Sequence, residues 1–94
     1  DRTLQARAYY GLARIAALEK DPELSERLFQ KTLELNPDPA VKSWSLLYLG
    51  RLAGARGDRV QAAAFFESAL AVAGLPDQVR NLAAKGLEEM RKQE

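Results

Sequence analysis

Every nucleophile and every base open to this chain is an oxygen or an amine, because its 94 residues include no Cys and no His. Thiol nucleophiles, imidazole bases, disulfide frameworks and the usual zinc sites are excluded together. A hydrolytic centre would need two facing carboxylates or a serine beside a lysine. Glu88 and Glu89 are adjacent, so on a helix they point in different directions. Glu23 and Glu26 follow Pro22 closely, where negative charge favours the start of a helix. Asp21 and Asp58 read as helix caps, and Ser25, Ser43, Ser45 and Ser68 have no base placed to activate them. Gly54 and Gly57 lack the Lys-Ser/Thr that a phosphate-cradling loop requires. The expectation is a chain that is not an enzyme and takes no cofactor and no metal.

What remains is recognition. Lys and Arg number 14 against 13 Asp and Glu, a net charge of +1 that lacks the basic excess of a nucleic-acid binder. No apolar run is long enough to span a membrane. Hydrophobic residues at 47% and charged ones at 29% describe an ordinary globular domain. A chain without thiols suits any redox compartment, so localisation stays open. No signal peptide is visible, and Asp1 is not an initiator Met; the expectation is a piece of a longer protein.

The elements that carry these side chains are marked by regular punctuation. Asp21-Pro22, Asn36-Pro37, Asp38-Pro39 and Pro76-Asp77 are strong breakers, joined by Gly57-Asp58 and Gly74. Asp before Pro suits an N-cap followed by a proline in the first turn, and Gly57 and Gly74 suit the left-handed residue that ends a helix. Five segments lie between, about 3–19, 22–35, 39–56, 59–73 and 76–92, rich in Ala, Leu, Glu, Arg and Gln and without strand-like alternation. Short turns make successive helices antiparallel. The fold class is all-α.

A shift of 37 residues superposes the chain on itself. It pairs Leu12 with Leu49, Arg14 with Arg51, Ala16 with Ala53, Asp21 with Asp58, Phe29 with Phe66, Leu33 with Leu70 and Pro39 with Pro76. One copy reads Tyr9-x2-Leu12-Ala13-x2-Ala16, then Ser25-x3-Phe29, Thr32, Leu33 and Pro37. The other reads Leu46-x2-Leu49-Gly50-x2-Ala53, then Ala62-x3-Phe66, Ala69 and Leu70. This pattern resembles the tetratricopeptide repeat; Sel1-like helical hairpins, of slightly longer period, share its general form. Ala16 and Ala53 stand where the family has an aromatic, and Gly74 stands where the second copy would close on Pro.

The resemblance implies an antiparallel helix-turn-helix superhelix in one domain over 1–94. Its units would span 6–39 and 43–76, with Ala40, Val41 and Lys42 as three extra residues between them. Small residues Ala13 and Gly50 would face Ser25 and Ala62, while Phe29 and Phe66 plug the space between hairpins. The last segment shows Val79, Leu82, Ala83, Leu87 and Met90 on one side and Arg80, Lys85, Glu88, Glu89, Arg91 and Lys92 on the other. It is expected to cap the array over 77–92. By the same resemblance Tyr10, Arg14, Trp44, Leu47, Tyr48, Arg51 and Lys85 line the concave face, Trp44 with the alternative of lying in the core. Arginines beside aromatic residues suit a protein or peptide partner that is acidic or ends in a carboxylate. The alternatives are that the arginines pair with Glu19 and nearby acids, and that the helices cap or extend a longer array, or serve a larger enzyme, with other domains of the same chain as partners.

Overall fold

The first four helices start where an aspartate can accept from the free amides of a first turn. The computed structural model describes residues 1–92 and contains five helices among them: α1 (Arg2–Leu18), α2 (Pro22–Glu34), α3 (Pro39–Ala55), α4 (Arg59–Leu70) and α5 (Asp77–Lys92). Asp1, Asp21, Asp38 and Asp58 cap the first four, accepting from the amides of Thr3, Leu24, Val41 and Gln61. The fourth helix is shorter than its sequence pattern, ending at Leu70 with Ala71 as its C-cap.

The turns inside the two hairpins are the same structure built from different residues. After α1, the Asp21 amide reaches the Ala16 carbonyl at 2.9 Å and the Lys20 amide reaches Ala17 at 3.1 Å. After α3, Asp58 reaches Ala53 at 3.0 Å and Gly57 reaches Gly54 at 3.1 Å. Both are Schellman closures, which require a left-handed residue. Gly57 takes it at φ 87°, whereas Lys20 is forced to φ 61° without glycine's freedom.

Ala40, Val41 and Lys42 are helical, as the segment about 39–56 implied. They lie in the first turn of α3, which begins at Pro39 and runs 17 residues, the same length as α1. The two first helices thus start and end in phase under the 37-residue shift.

Two layers result. The first helices α1, α3 and α5 lie side by side, α2 packs between α1 and α3, and α4 packs between α3 and α5. Ala13 is fully buried, and Ser25 Oγ donates to its carbonyl at 2.8 Å, so α1 and α2 meet backbone to side chain. Phe29 is fully buried and stacks on Tyr48 with ring centroids 5.0 Å apart. Burial of a phenylalanine contributes about 1.5–3 kcal/mol. Phe66 enters between α3 and α5 where both backbones are bare: a Cβ on Gly50 would lie 2.6 Å from its ring, and one on Gly86 2.7 Å. Val79, Ala83 and Leu87 bury α5 on this core with Phe66, Ala69 and Val72, while Arg80, Lys85, Glu88, Glu89, Arg91 and Lys92 are exposed. No helix among the described residues is long and apolar enough to cross a membrane.

Candidate functional site

The aromatic residues of α1 and α3 meet on the wall formed by the first helices. Trp44, Tyr48 and Arg51 follow one another at i, i+4 and i+7, so α3 presents them as one stripe. Tyr10 and Arg14 do the same on α1 at i and i+4. The Tyr10 ring meets Tyr48 edge-on at 6.3 Å, and Trp44 tilts against Tyr48 at 6.2 Å. Behind them Phe29 holds both tyrosines, edge-on to Tyr10 at 5.9 Å and stacked on Tyr48. Tyr10, Arg14, Trp44 and Tyr48 enclose a shallow pocket of about 260 Å³. Trp44 serves both expectations: half-buried, it packs against the core and also lines this pocket.

The two arginines sit on the tyrosines rather than on acids. Arg14 lies over the Tyr10 ring at 5.7 Å and Arg51 over the Tyr48 ring at 5.8 Å. Among the described residues neither joins an ion pair, and Lys85 joins none. The pairing with Glu19 is therefore not seen. Burial pushes the Tyr10 hydroxyl up to about 12, with the neighbouring Tyr48 adding to the rise and Arg14 opposing it. That hydroxyl stays protonated and can donate a hydrogen bond at any physiological pH.

Leu47 is a correction. Expected on this wall, it is wholly buried in the core that holds Leu46, Val72, Val79 and Ala83. The 37-residue shift places it opposite Tyr10, but α3 is flanked on both sides. One residue before Tyr48 is about a quarter turn around the helix, enough to take Leu47 out of the stripe. Lys85 is separated from the aromatic cluster as well. It borders a second and larger pocket of about 470 Å³ between α3 and α5, shared with Arg51, Phe66, Leu82, Glu89 and Met90.

Sequence reasoning missed this second pocket. Its signal is three glycines inside helices, Gly50, Gly54 and Gly86, which all border the groove. Gly50 and Gly86 clear space for the Phe66 ring, and a Cβ on Gly54 would lie 3.7 Å from the Met90 thioether. Lys85, Arg51 and Glu89 line the same groove, which mixes charged and apolar side chains.

The architecture agrees with a comparison against family models, which matches residues 4–74 to the tetratricopeptide repeat. No curated protein and no solved structure gave a match. The chain belongs to the tetratricopeptide-repeat family, whose fold is that of a protein-interaction or scaffold module and is generally non-catalytic.

Proposed function

We propose that the wall formed by α1, α3 and α5 holds a peptide segment or a neighbouring domain that is acidic or ends in a carboxylate. The observation that carries this reading is a pair of arginines that have no acidic partner among the described residues, each resting on a tyrosine ring. A guanidinium held over a ring keeps its N–H edge free for a carboxylate and loses little freedom on binding. Tyr10, Trp44 and Tyr48 supply the apolar contact. In the α3–α5 groove, Leu82 and Met90 take over the role expected of Leu47. Exposed ion pairs contribute only about 0–1 kcal/mol each, so the apolar contacts must supply most of the affinity and the arginines the selectivity.

The test is fluorescence anisotropy with labelled decapeptides that combine Glu or Asp with Leu or Phe, free or amidated at the C terminus. Lys-for-Glu counterparts serve as controls. Acidic peptides should bind more tightly than the Lys counterparts, and Arg14→Ala with Arg51→Ala should remove the salt-dependent part of that binding. Tyr48→Ala should hasten dissociation, with thermal unfolding run alongside because Tyr48 also supports Phe29. Equal affinity for acidic and basic peptides, or affinity indifferent to both arginines, would move binding off this wall. The second reading, a segment that extends a longer helical array, is favoured by the outer face of α1.

A further inference from the structure

The aromatic pocket on the wall of first helices is rich in hydrogen-bond donors and poor in acceptors. Tyr10, Arg14, Trp44 and Tyr48 line it, with no carboxylate among them. Arginine and the tryptophan indole can only donate, and a tyrosine hydroxyl can do either. None of these four side chains makes a hydrogen bond among the described residues, and Arg51, next along the α3 stripe, makes none either. The Tyr10 hydroxyl, held protonated by burial, keeps its donor.

The rings are also held in place. Buried Phe29 meets Tyr10 edge-on at 5.9 Å and stacks on Tyr48 at 5.0 Å, and Trp44 leans on Tyr48 at 6.2 Å. Three half-buried rings thus make an open ridged surface on which a flat apolar group can lie without rearrangement. A matching ligand brings apolar rings, acceptors and negative charge, and few N–H groups that this pocket cannot satisfy. Proline meets the first and last conditions at once, since its ring is apolar and its nitrogen carries no hydrogen. A proline run also adopts the polyproline II helix, which has no internal hydrogen bonds and leaves its carbonyls open to donors. Aromatic-lined grooves are surfaces on which such helices dock. A strand carrying leucine or phenylalanine offers the same carbonyls but adds an N–H at each residue.

Charge lies at one end of the ridge. Arg14 follows Tyr10, and Arg51 follows Tyr48, by about one turn on first helices that run in the same direction. We infer that this cluster seats a proline-rich segment in the polyproline II conformation, joined at one end to acidic residues. The inference rests on the reading of this wall as a site for an acidic segment and names the class of that segment. The rings of Tyr10, Trp44 and Tyr48 receive the prolines. The Tyr10 hydroxyl and the Trp44 indole N–H donate to ligand carbonyls, and Arg14 and Arg51 take the carboxylates.

Trp44 is the chain's one tryptophan, so its emission reports occupancy of this pocket without any substitution. The titration uses decapeptides in which a proline run adjoins a glutamate run, in either order. Counterparts replace every proline by leucine or by alanine. In at least one order the proline–glutamate peptide should bind about tenfold more tightly than its counterparts, because its backbone is already ordered, and should shift the Trp44 emission. Tyr10→Phe, which deletes a single oxygen, should weaken that peptide by about threefold to tenfold while the melting midpoint holds. Leucine–glutamate peptides that bind as tightly overturn the inference and leave the acidic-segment reading standing. Binding of the proline–glutamate peptide with Trp44 emission unmoved, or with Tyr10→Phe indifferent, overturns it as well. If no acidic peptide of any composition binds, the inference and the reading beneath it fall together.

Discussion

Adding a single methyl group at Gly86 should destabilise the protein, against the ordinary behaviour of glycine in a helix. In an open helix Gly→Ala is favourable by about 0.5–1 kcal/mol, because alanine loses less backbone freedom on folding. At Gly86 the new Cβ would lie 2.7 Å from Cζ of Phe66 and 2.9 Å from both Cε atoms. The ring has no retreat, since its opposite side lies against Gly50, where a Cβ would come within 2.6 Å. Overpacking of a pinned core residue costs about 1–3 kcal/mol, so the net expectation is a loss of about 1 kcal/mol after the helical gain. For a domain of this size that is about 4–8 °C in the melting midpoint. Two comparisons isolate the cause. Gly11→Ala, whose Cβ meets nothing within 4 Å, should raise the midpoint. Phe66→Leu, which withdraws the ring, should make Gly86→Ala far less costly, with a coupling of about 1 kcal/mol in the double-mutant cycle. Thermal and urea unfolding followed by circular dichroism would measure the four variants beside the unsubstituted chain. A midpoint that rises in Gly86→Ala alone, as at Gly11, would refute the wedged-ring geometry.

Lys20→Gly should stabilise by up to about 1 kcal/mol, since Lys20 occupies a left-handed position at φ 61° that glycine holds in the equivalent turn; Gly57→Lys should do the reverse, both read by urea unfolding. Ser45→Ala should raise the midpoint by an amount matching about 1 kcal/mol, because the buried Ser45 hydroxyl has no hydrogen-bond partner among the described residues. Tyr10, raised from 10.0 to about 12 by burial, favours the folded state fully below pH 10. That contribution is lost as pH rises through the folded value, because the unfolded chain releases the proton first. Tyrosinate absorbance should show a late step near pH 12 that is missing in Tyr10→Phe.

The helix ends were legible because their chemistry is local. An aspartate ahead of a first turn, or a glycine past a last one, acts on amides and carbonyls within a few residues, so Asp21, Asp38, Asp58 and Gly57 announce their roles unaided. The pairing of Phe29 with Phe66 was legible for a different reason, since two copies of one packing problem take one solution. Leu47 was not, because its fate depends on which neighbours flank α3, and a linear shift carries no such information. The α3–α5 groove was hidden likewise. Gly86 inside an amphipathic helix is a weak signal until Phe66 is known to point at it. Lys20 was less legible: it falls opposite Gly57 under the 37-residue shift, but only the backbone angle reveals the strain that lysine bears there.

The extra residues at the start of α3 connect the length of the repeat to the composition of the wall. Three residues advance a helix by about 4.5 Å and nearly a full turn, so a first helix can be lengthened there without rotating its faces far. Were α3 to begin at Ser43, Trp44 would fall in a first turn whose amides have no helical partners. Beginning at Pro39 with Asp38 as its cap, the helix carries Trp44 in its second turn, one turn from Tyr48 and within 6.2 Å of its ring. The same cap ties the neighbouring helix, because Asp38 accepts from the Val41 amide with one oxygen and from Arg7 of α1 with the other. The added turn thus holds Trp44 in line with Tyr48 and Tyr10, and draws the start of α3 toward α1 beside the pocket these residues enclose.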